Sequence, residues 1–164
     1  MTPELHRPVL AERVGPAGLD VVVEANEAER AALALRMDLP AVLALNCSFH
    51  LERDAAHRLS GHGHLRAEVV RTCVVSLEDF SATVEEQFTV LFVPAGEENE
   101  DDDPEAPDEI AYEDGVVDLG EAVAEQLALA LDPYPRAPGA VLPEIEEGVD
   151  EHQFAALAAF KWRQ

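Results

Sequence analysis

The side chains best suited to chemistry in this chain are two histidines and a cysteine. His62 and His64 are two residues apart, so a β-strand would place both imidazoles on one face, where they could bind a metal ion. His50 and His57 are further candidate ligands, but no Cys or His pair completes a tetrahedral zinc site in the sequence. The polar face of a half-exposed strand is the simpler explanation, and we expect no metal or other cofactor.

Cys73 follows an apolar run and would act as a nucleophile only with a histidine base and a group that orients this base. Nothing in the spacing singles out such a histidine, so we interpret Cys73 and Cys47 as buried structural thiols. A phosphate-binding Gly-rich loop, a G-x-S-x-G elbow and a calcium-loop pattern are all missing from the sequence. We expect a non-enzymatic protein; a site of His62, His64 and Cys73 that forms on folding is the open alternative.

Charge divides the chain into two unequal parts. Residues 1–71 contain ten acidic and eight basic side chains, whereas residues 72–164 contain twenty-four acidic and three basic ones. Residues 97–118 contain twelve carboxylates and neither Lys nor Arg, a composition typical of a solvated interaction segment. Because affinity for nucleic acid comes largely from Lys and Arg, a charged partner of this part would be cationic. The alternative is that the run only keeps the protein soluble.

Periodicity predicts an α+β fold. Strand-like patterns cover residues 19–24, 42–53, 58–75 and 81–93, and their short connections favour an antiparallel sheet that could close like a barrel. Helical patterns cover residues 27–38 and 119–131, and a third helix could begin at Asp150. Capping boxes are predicted at Asn26 with Glu29 and at Asp118 with Glu121. We expect one domain over residues 1–164, with a disordered, flexible acidic insert at about 96–116.

Composition also bears on the cellular compartment. Two cysteines are too few for a disulfide scaffold, and no stretch approaches the roughly eighteen apolar residues that span a membrane. The N-terminal residues lack the apolar centre of a signal peptide. We therefore expect a soluble, cytoplasmic protein without a membrane partner, and the sequence gives no indication of its oligomeric state.

Three motifs in a fixed order resemble one protein family. The first is Cys73-x-x-x-Leu77-Glu78-x-Phe80, the second is Glu-x-x-Phe at residues 85–88, and the third is Val-Asp-Leu at the start of the second predicted helix. An acidic insert separates the second motif from the third. This order is similar to that of the YceD family, named for large ribosomal RNA subunit accumulation, and the chain most resembles the alphaproteobacterial members.

The resemblance also implies a metal site from which this chain departs. Many family members carry a second Cys three residues after the first, with further Cys downstream, in the manner of a metal site. Here the second position is Ser76, and the downstream region, residues 134–140, contains no Cys. We therefore expect the family-type metal site to be absent.

The resemblance implies a non-enzymatic role in large-subunit rRNA accumulation and ribosome assembly. We expect a basic ribosomal protein or assembly factor as the partner, because the acidic run would attract it over a distance. The candidate partner-binding residues are Glu97, Glu98, Glu100, Asp101, Asp102 and Asp103.

Two alternatives remain open for the partner. Direct contact with large-subunit rRNA would use the nearly neutral N-terminal part, through Arg53, Arg58, Arg66 and Arg71. The acidic run could instead imitate nucleic-acid phosphates and occupy a protein that binds nucleic acid.

Overall fold

A five-stranded sheet dominates the computed structural model, which describes residues 3–54, 56–98 and 106–143. The strands are β1 (Pro8–Leu10), β2 (Leu19–Glu24), β3 (Ala41–Arg53), β4 (Leu59–Thr72), β5 (Asp79–Pro94), β6 (Asp108–Tyr112) and β7 (Val116–Asp118). The helices are α1 (Glu27–Arg36) and α2 (Leu119–Ala130), and a single 3-10 turn covers Ala11–Arg13. The four predicted strands and two predicted helices all form, with ends within three residues of those expected.

Alternation of side chains gives the sheet one buried and one exposed face. In β4, Leu59, Leu65 and Val69 are fully buried, whereas His62 and His64 on the other parity are exposed. This is the period of two that an extended backbone imposes. The expectation of one buried and one solvated face is therefore confirmed.

The strand order is β2-β3-β4-β5-β6, and the first four strands are antiparallel neighbours. β6 joins the sheet parallel to β5, so the sheet is mixed and the α+β class is confirmed. The barrel-like closure is wrong: β2 and β6 form opposite ends of an open sheet in the described part of the chain. The helices and the small β1–β7 pair cover the buried face instead, so the apolar side chains need no closed barrel.

The acidic segment contains regular structure that the charge pattern did not predict. β6 lies within the insert expected to be disordered at 96–116, and β7 begins at the last residue of this insert, so that expectation does not hold for residues 108–112. β6 pairs with β5 from Val90 to Pro94, and Ile110 and Tyr112 pack against the core. Ladder hydrogen bonds and apolar burial thus offset the charge repulsion. Residues 99–105 and the third helix expected from Asp150 lie outside the described residues.

The two helix starts differ in their caps. Asn26 accepts a hydrogen bond from the Glu29 amide, and Glu29 accepts one from the Asn26 amide, so the first capping box is confirmed. At α2, Asp118 accepts from the Gly120 amide, but Glu121 does not complete a box. Glu121 instead binds Arg36 of α1 through two bonds of 2.8 and 3.1 Å. This bidentate charged pair is stronger than a bond to a neutral amide, which explains why the second box is wrong.

The N-terminal segment lies directly against the start of α2. The Leu119 amide donates to the Arg7 carbonyl at 3.1 Å, and the Arg7 amide donates to Asp118 at 2.8 Å. A Cβ atom on Gly120 would lie 2.4 Å from the carbonyl oxygen of Leu5, so only glycine fits. Neither helix of the described residues is long and apolar enough to cross a membrane.

Candidate partner-binding surface

β5 carries three exposed carboxylates in its first half. Asp79, Glu85 and Glu86 are exposed, and the strand contains neither Lys nor Arg. Glu85 lies 2.9 Å from the His64 ring, while Glu86 forms no ion pair with any residue that the structure describes. The strand is therefore an anionic element at the surface.

The turn after β5 extends this anionic surface. The Glu97 amide donates to the Pro94 carbonyl at 3.0 Å, and Gly96 adopts a positive φ of 89° that closes the turn. Glu98 accepts a hydrogen bond of 2.7 Å from the Gly96 amide. Both predicted partner-binding residues of this turn, Glu97 and Glu98, are exposed. The other four, Glu100, Asp101, Asp102 and Asp103, lie outside the described residues.

A third group of carboxylates lies where α2 passes β6. Partial desolvation of the otherwise exposed Glu125 raises its pKa, and the neighbouring carboxylates of Glu121 and Asp108 raise it further, although Arg36 opposes them. Asp108 also accepts a weak bond of 3.5 Å from the buried Gln126. Glu121 and Glu125 are four residues apart in α2, and like charges at this spacing destabilise a helix slightly. The acidic surface therefore lowers the stability of the fold by a small amount.

The four arginines proposed for RNA contact do not form one patch. Arg53 donates to the Ala11 carbonyl, and Arg58 pairs with Asp54 at 2.8 Å, both at the β3–β4 turn. Arg66 is exposed on the solvated face of β4. At the far end of this strand, Arg71 donates to the Asp132 carbonyl at 2.6 Å. The strand between the two ends is roughly 40 Å long at about 3.3 Å per residue.

The family motif forms a loop between β4 and β5 that holds the segment after α2. The Cys73 amide donates to the Glu78 carbonyl and the Val74 amide donates to the Pro135 carbonyl, each at 2.9 Å. Leu77 has a positive φ of 60° and is exposed, whereas Phe80 is half-buried at the start of β5. The motif therefore acts as a structural clamp on residues 132–137.

Cys73 lies at the centre of this clamp. Its sulfur is fully buried and accepts hydrogen bonds from the Ala137 amide at 3.3 Å and the Ser76 amide at 3.5 Å. These bonds, that of Ala137 first, lower the pKa of the Cys73 thiol to about 6. Cys47 is also buried, and burial raises its pKa to about 12, although a backbone hydrogen bond from His64 opposes this shift. The prediction of two buried thiols is confirmed.

The residues around Cys73 do not fit a zinc ion. The structure brings together the three positions of the family-type site, namely Cys73, Ser76 and the segment containing Ala137. Cys73 supplies the one thiol there, and backbone N–H groups already occupy its lone pairs. Zinc would need three further N, S or O ligands. No group of three His, Cys, Asp or Glu side chains suited to a metal occurs among the described residues.

The candidate catalytic residues lie on different parts of the fold. His62 and His64 are on the solvated face of β4, where His62 contacts Thr89 at 3.1 Å. His50, opposite His62 on β3, has its pKa raised by the hydrogen bond that its ring donates to the Asp20 carboxylate. Cys73 lies beyond the end of β4, nine residues or roughly 30 Å of extended chain from His64. The fold therefore does not assemble His62, His64 and Cys73 into one site.

The sequence analysis interpreted Glu85 and Glu86 as part of a motif. It did not predict that they lie where one side of β5 has no neighbouring strand. β4 pairs with one side of β5 from Asp79 to Phe92, whereas β6 pairs with the other side only from Val90 onward. A signal was available, because strands at sheet edges carry charged residues more often than central strands do. Charged residues in a strand identify a sheet edge only when the strand order is known, and the strand order cannot be derived from this sequence.

The fold and surface define a class of protein. It is a mainly antiparallel α+β protein with acidic side chains on β5 and the turn that follows, and with a loop around Cys73 that holds the segment after α2 by hydrogen bonds. The model of the family "Large ribosomal RNA subunit accumulation protein YceD" matches residues 61–161, which is more than half of the chain. The chain belongs to this family. The match includes the motif loop, β5, the acidic segment and α2. No curated protein and no solved structure matches the chain.

Proposed function

We propose that this protein supports large-subunit rRNA accumulation and ribosome assembly as a non-enzymatic factor in the cytoplasm, by binding a basic protein. Membership of the YceD family supports the link to the large ribosomal subunit. The partner is a basic ribosomal protein or assembly factor. Complementary charge would speed the encounter and keep the basic chain soluble until it meets rRNA.

The observation that carries the proposal is the exposure of unneutralised carboxylates. Glu86, Glu97 and Glu98 are exposed, and no Lys or Arg of the described chain pairs with them. The internal arginine pairs use other carboxylates, as Arg7 does with Glu29 at 2.7 Å. The anionic surface therefore stays available to a partner.

The arginine positions support a protein partner over RNA. Arg53, Arg58 and Arg71 all bind groups of their own chain, which leaves Arg66 as the one arginine of the four whose side chain forms no hydrogen bond or ion pair within the described residues. Binding of nucleic acid improves with each phosphate that a basic side chain neutralises. A single arginine without a side-chain partner, on a chain of net charge −23, is a weak basis for direct binding of rRNA.

Two measurements test the proposal. Deletion of the gene should lower the ratio of large-subunit to small-subunit rRNA, and the intact gene should restore it. The purified protein should then capture a large-subunit protein or assembly factor from lysate at low salt, and nuclease treatment should leave this capture intact.

Three results would contradict the proposal. An unchanged rRNA ratio would remove the link to ribosome assembly. Capture abolished by nuclease would favour the direct rRNA contact instead. Capture of many unrelated nucleic-acid-binding proteins would favour imitation of nucleic-acid phosphates.

A further inference from the structure

β5 has a long free edge. Its pairing with β4 runs from Asp79 opposite Thr72 to Phe92 opposite Leu59. On its other side, β6 pairs only from Val90 to Pro94. Residues 79–89 therefore have no strand partner on that side within the described chain. About half of these residues direct N–H and C=O groups outward, since alternate residues of an antiparallel strand face alternate neighbours.

This free edge carries acidic side chains but few of the other protections against strand addition. Natural edges are blocked by charged side chains, above all Lys, by Pro, by bulges or by short length. Residues 79–89 contain neither Lys nor Pro, and their register with β4 is continuous, without a bulge. Three carboxylates, Asp79, Glu85 and Glu86, are the charges on it.

The charges indicate which strand could bind. A second copy of the chain would bring Glu85 and Glu86 against the same carboxylates, and like charges across strands are destabilising. A strand with Lys or Arg would instead place opposite charges there, which is favourable by the same rule. The edge is thus suited to a basic strand and unsuited to its own copy.

The two faces of β5 beside this edge differ, and the difference determines which side chains an added strand would carry on each face. Phe80 and Val84 are half-buried and line a cavity of about 320 Å³ together with Val69 and Pro135. Thr83 and Glu85, which alternate with them along β5, are exposed and contribute to the lining of the same cavity, as Glu86 does. An added strand would place apolar side chains over the cavity and basic ones beside Glu85.

We propose that the free edge of β5, residues 79–89, binds an extended basic segment of the partner protein by β-strand addition. The segment alternates apolar and basic side chains. Main-chain hydrogen bonds supply affinity, and the cavity beside Phe80 and Val84 with the carboxylates of Glu85 and Glu86 supplies specificity. This inference rests on the proposed function, for which it names the binding mode.

The test uses the full chain and a synthetic peptide of alternating Val and Lys. Binding should slow the amide hydrogen exchange of residues 79–89 selectively. A peptide of the same composition but with its Val and Lys grouped in blocks should bind more weakly. A peptide N-methylated on alternate residues keeps its charge but loses hydrogen bonds, and it should give no protection of the strand.

Charge variants provide the matched comparison. The double variant Glu85→Gln/Glu86→Gln should bind the peptide about fivefold more weakly at low salt, because Glu85 loses its cross-strand charge pair with a Lys of the peptide and Glu86, on the other face of β5, loses its longer-range attraction. The double variant Glu12→Gln/Glu24→Gln removes the same charge from exposed positions outside β5 and should bind nearly as the parent does.

Two results would overturn the proposal. Equal binding of the N-methylated peptide would mean that charge attraction alone is at work. Protection of residues 79–89 that depends on protein concentration and needs no peptide would identify a second copy as the occupant. If the peptide binds as expected but gene deletion leaves the rRNA ratio unchanged, the proposed function fails while the edge site stands. If gene deletion lowers the rRNA ratio but the peptide does not bind at residues 79–89, the edge site fails while the proposed function stands.

Discussion

The ring of Phe88 on β5 occupies the space above Gly63 on β4. The two residues face each other in the strand register, and a Cβ atom on Gly63 would lie 2.2 Å from the ring carbon Cζ of Phe88. The same ring packs edge-on against Phe49, with centroids 5.6 Å apart. This contact gives a structural reason for the Phe of the Glu-x-x-Phe motif at residues 85–88.

The first prediction concerns this pair. Gly63→Ala should lower the free energy of unfolding by about 1–3 kcal/mol, because an added methyl group overpacks the site. Phe88→Ala should also destabilise, and the double variant should lose less than the sum of the single variants, because the smaller side chain makes room for the methyl group. Urea denaturation of the three variants measures this coupling. Strict additivity would show that the contact carries no energy of its own.

The second prediction concerns Gly120 at the start of α2. Replacing glycine by alanine within a helix normally stabilises it by roughly 1 kcal/mol. Here the added methyl group would lie 2.4 Å from the Leu5 carbonyl oxygen, so Gly120→Ala should destabilise instead and shift the N-terminal segment. Gly15→Ala is the control, since nothing lies within 4 Å of its added Cβ. An increased midpoint of thermal unfolding for Gly120→Ala would contradict the packing.

The third prediction is a pH-dependent gain in stability. The pKa of Glu125 is raised in the fold, chiefly by partial desolvation and then by Glu121, so its ionised form is unfavourable there. Glu125→Gln should therefore stabilise the protein by about 0.2–0.5 kcal/mol at neutral pH, the usual size of an i,i+4 like-charge term.

This gain should vanish as the pH falls through the folded pKa of Glu125, because the parent side chain then becomes neutral as well. Chemical denaturation at a series of pH values measures the change. Glu113→Gln, at an exposed position outside the helix, should show little effect. A loss of stability in Glu125→Gln at neutral pH would contradict the repulsion.

The fourth prediction separates the two cysteines by titration. Hydrogen bonds, that of the Ala137 amide first, lower the pKa of Cys73 to about 6, whereas burial raises the pKa of Cys47 to about 12. Thiolate absorbance in the ultraviolet should therefore rise in two well-separated steps. Cys73→Ser should remove the lower step and Cys47→Ser the upper one. A single step near the ordinary value of about 8.5 would mean that the hydrogen bonds to Cys73 do not form.

The lowered pKa of Cys73 also makes the stability of the fold depend on pH. Because the folded pKa of Cys73 lies below the unfolded one, its contribution is fully present above the unfolded pKa and is lost as the pH falls through about 6. The midpoint of thermal unfolding of the parent relative to Cys73→Ser should thus increase with pH between these two values. A constant difference would show that Cys73 acts through packing alone.

The fifth prediction concerns the acidic run. Changing Glu100, Asp101, Asp102 and Asp103 together to Gln or Asn should weaken capture of a basic partner and flatten its salt dependence. Such charges act through long-range attraction, which is screened over about 8 Å at physiological ionic strength. The matched control neutralises four exposed acidic residues of the N-terminal part, Glu12, Glu24, Asp38 and Glu68. If the acidic-run variant captures the partner as tightly as the parent at low salt, the run serves solubility only.

The sequence by itself determined the features that depend on neighbouring residues. The alternation in β4 and the box formed by Asn26 and Glu29 were both predictable, because a period of two and a three-residue capping contact are local properties. The contrast in charge between the two parts of the chain, and the family resemblance, were also readable in advance.

Only the tertiary structure decided the features that join distant residues. β6 forms within a strongly acidic segment because β5 supplies its hydrogen bonds and its apolar contacts. Glu121 does not cap α2 because it forms a bidentate ion pair with Arg36, which lies 85 positions earlier in the chain. The free edge at residues 79–89 exists because β6 is short and begins opposite Val90. Strand order and strand overlap are long-range properties, and neither charge nor periodicity within a single segment specifies them.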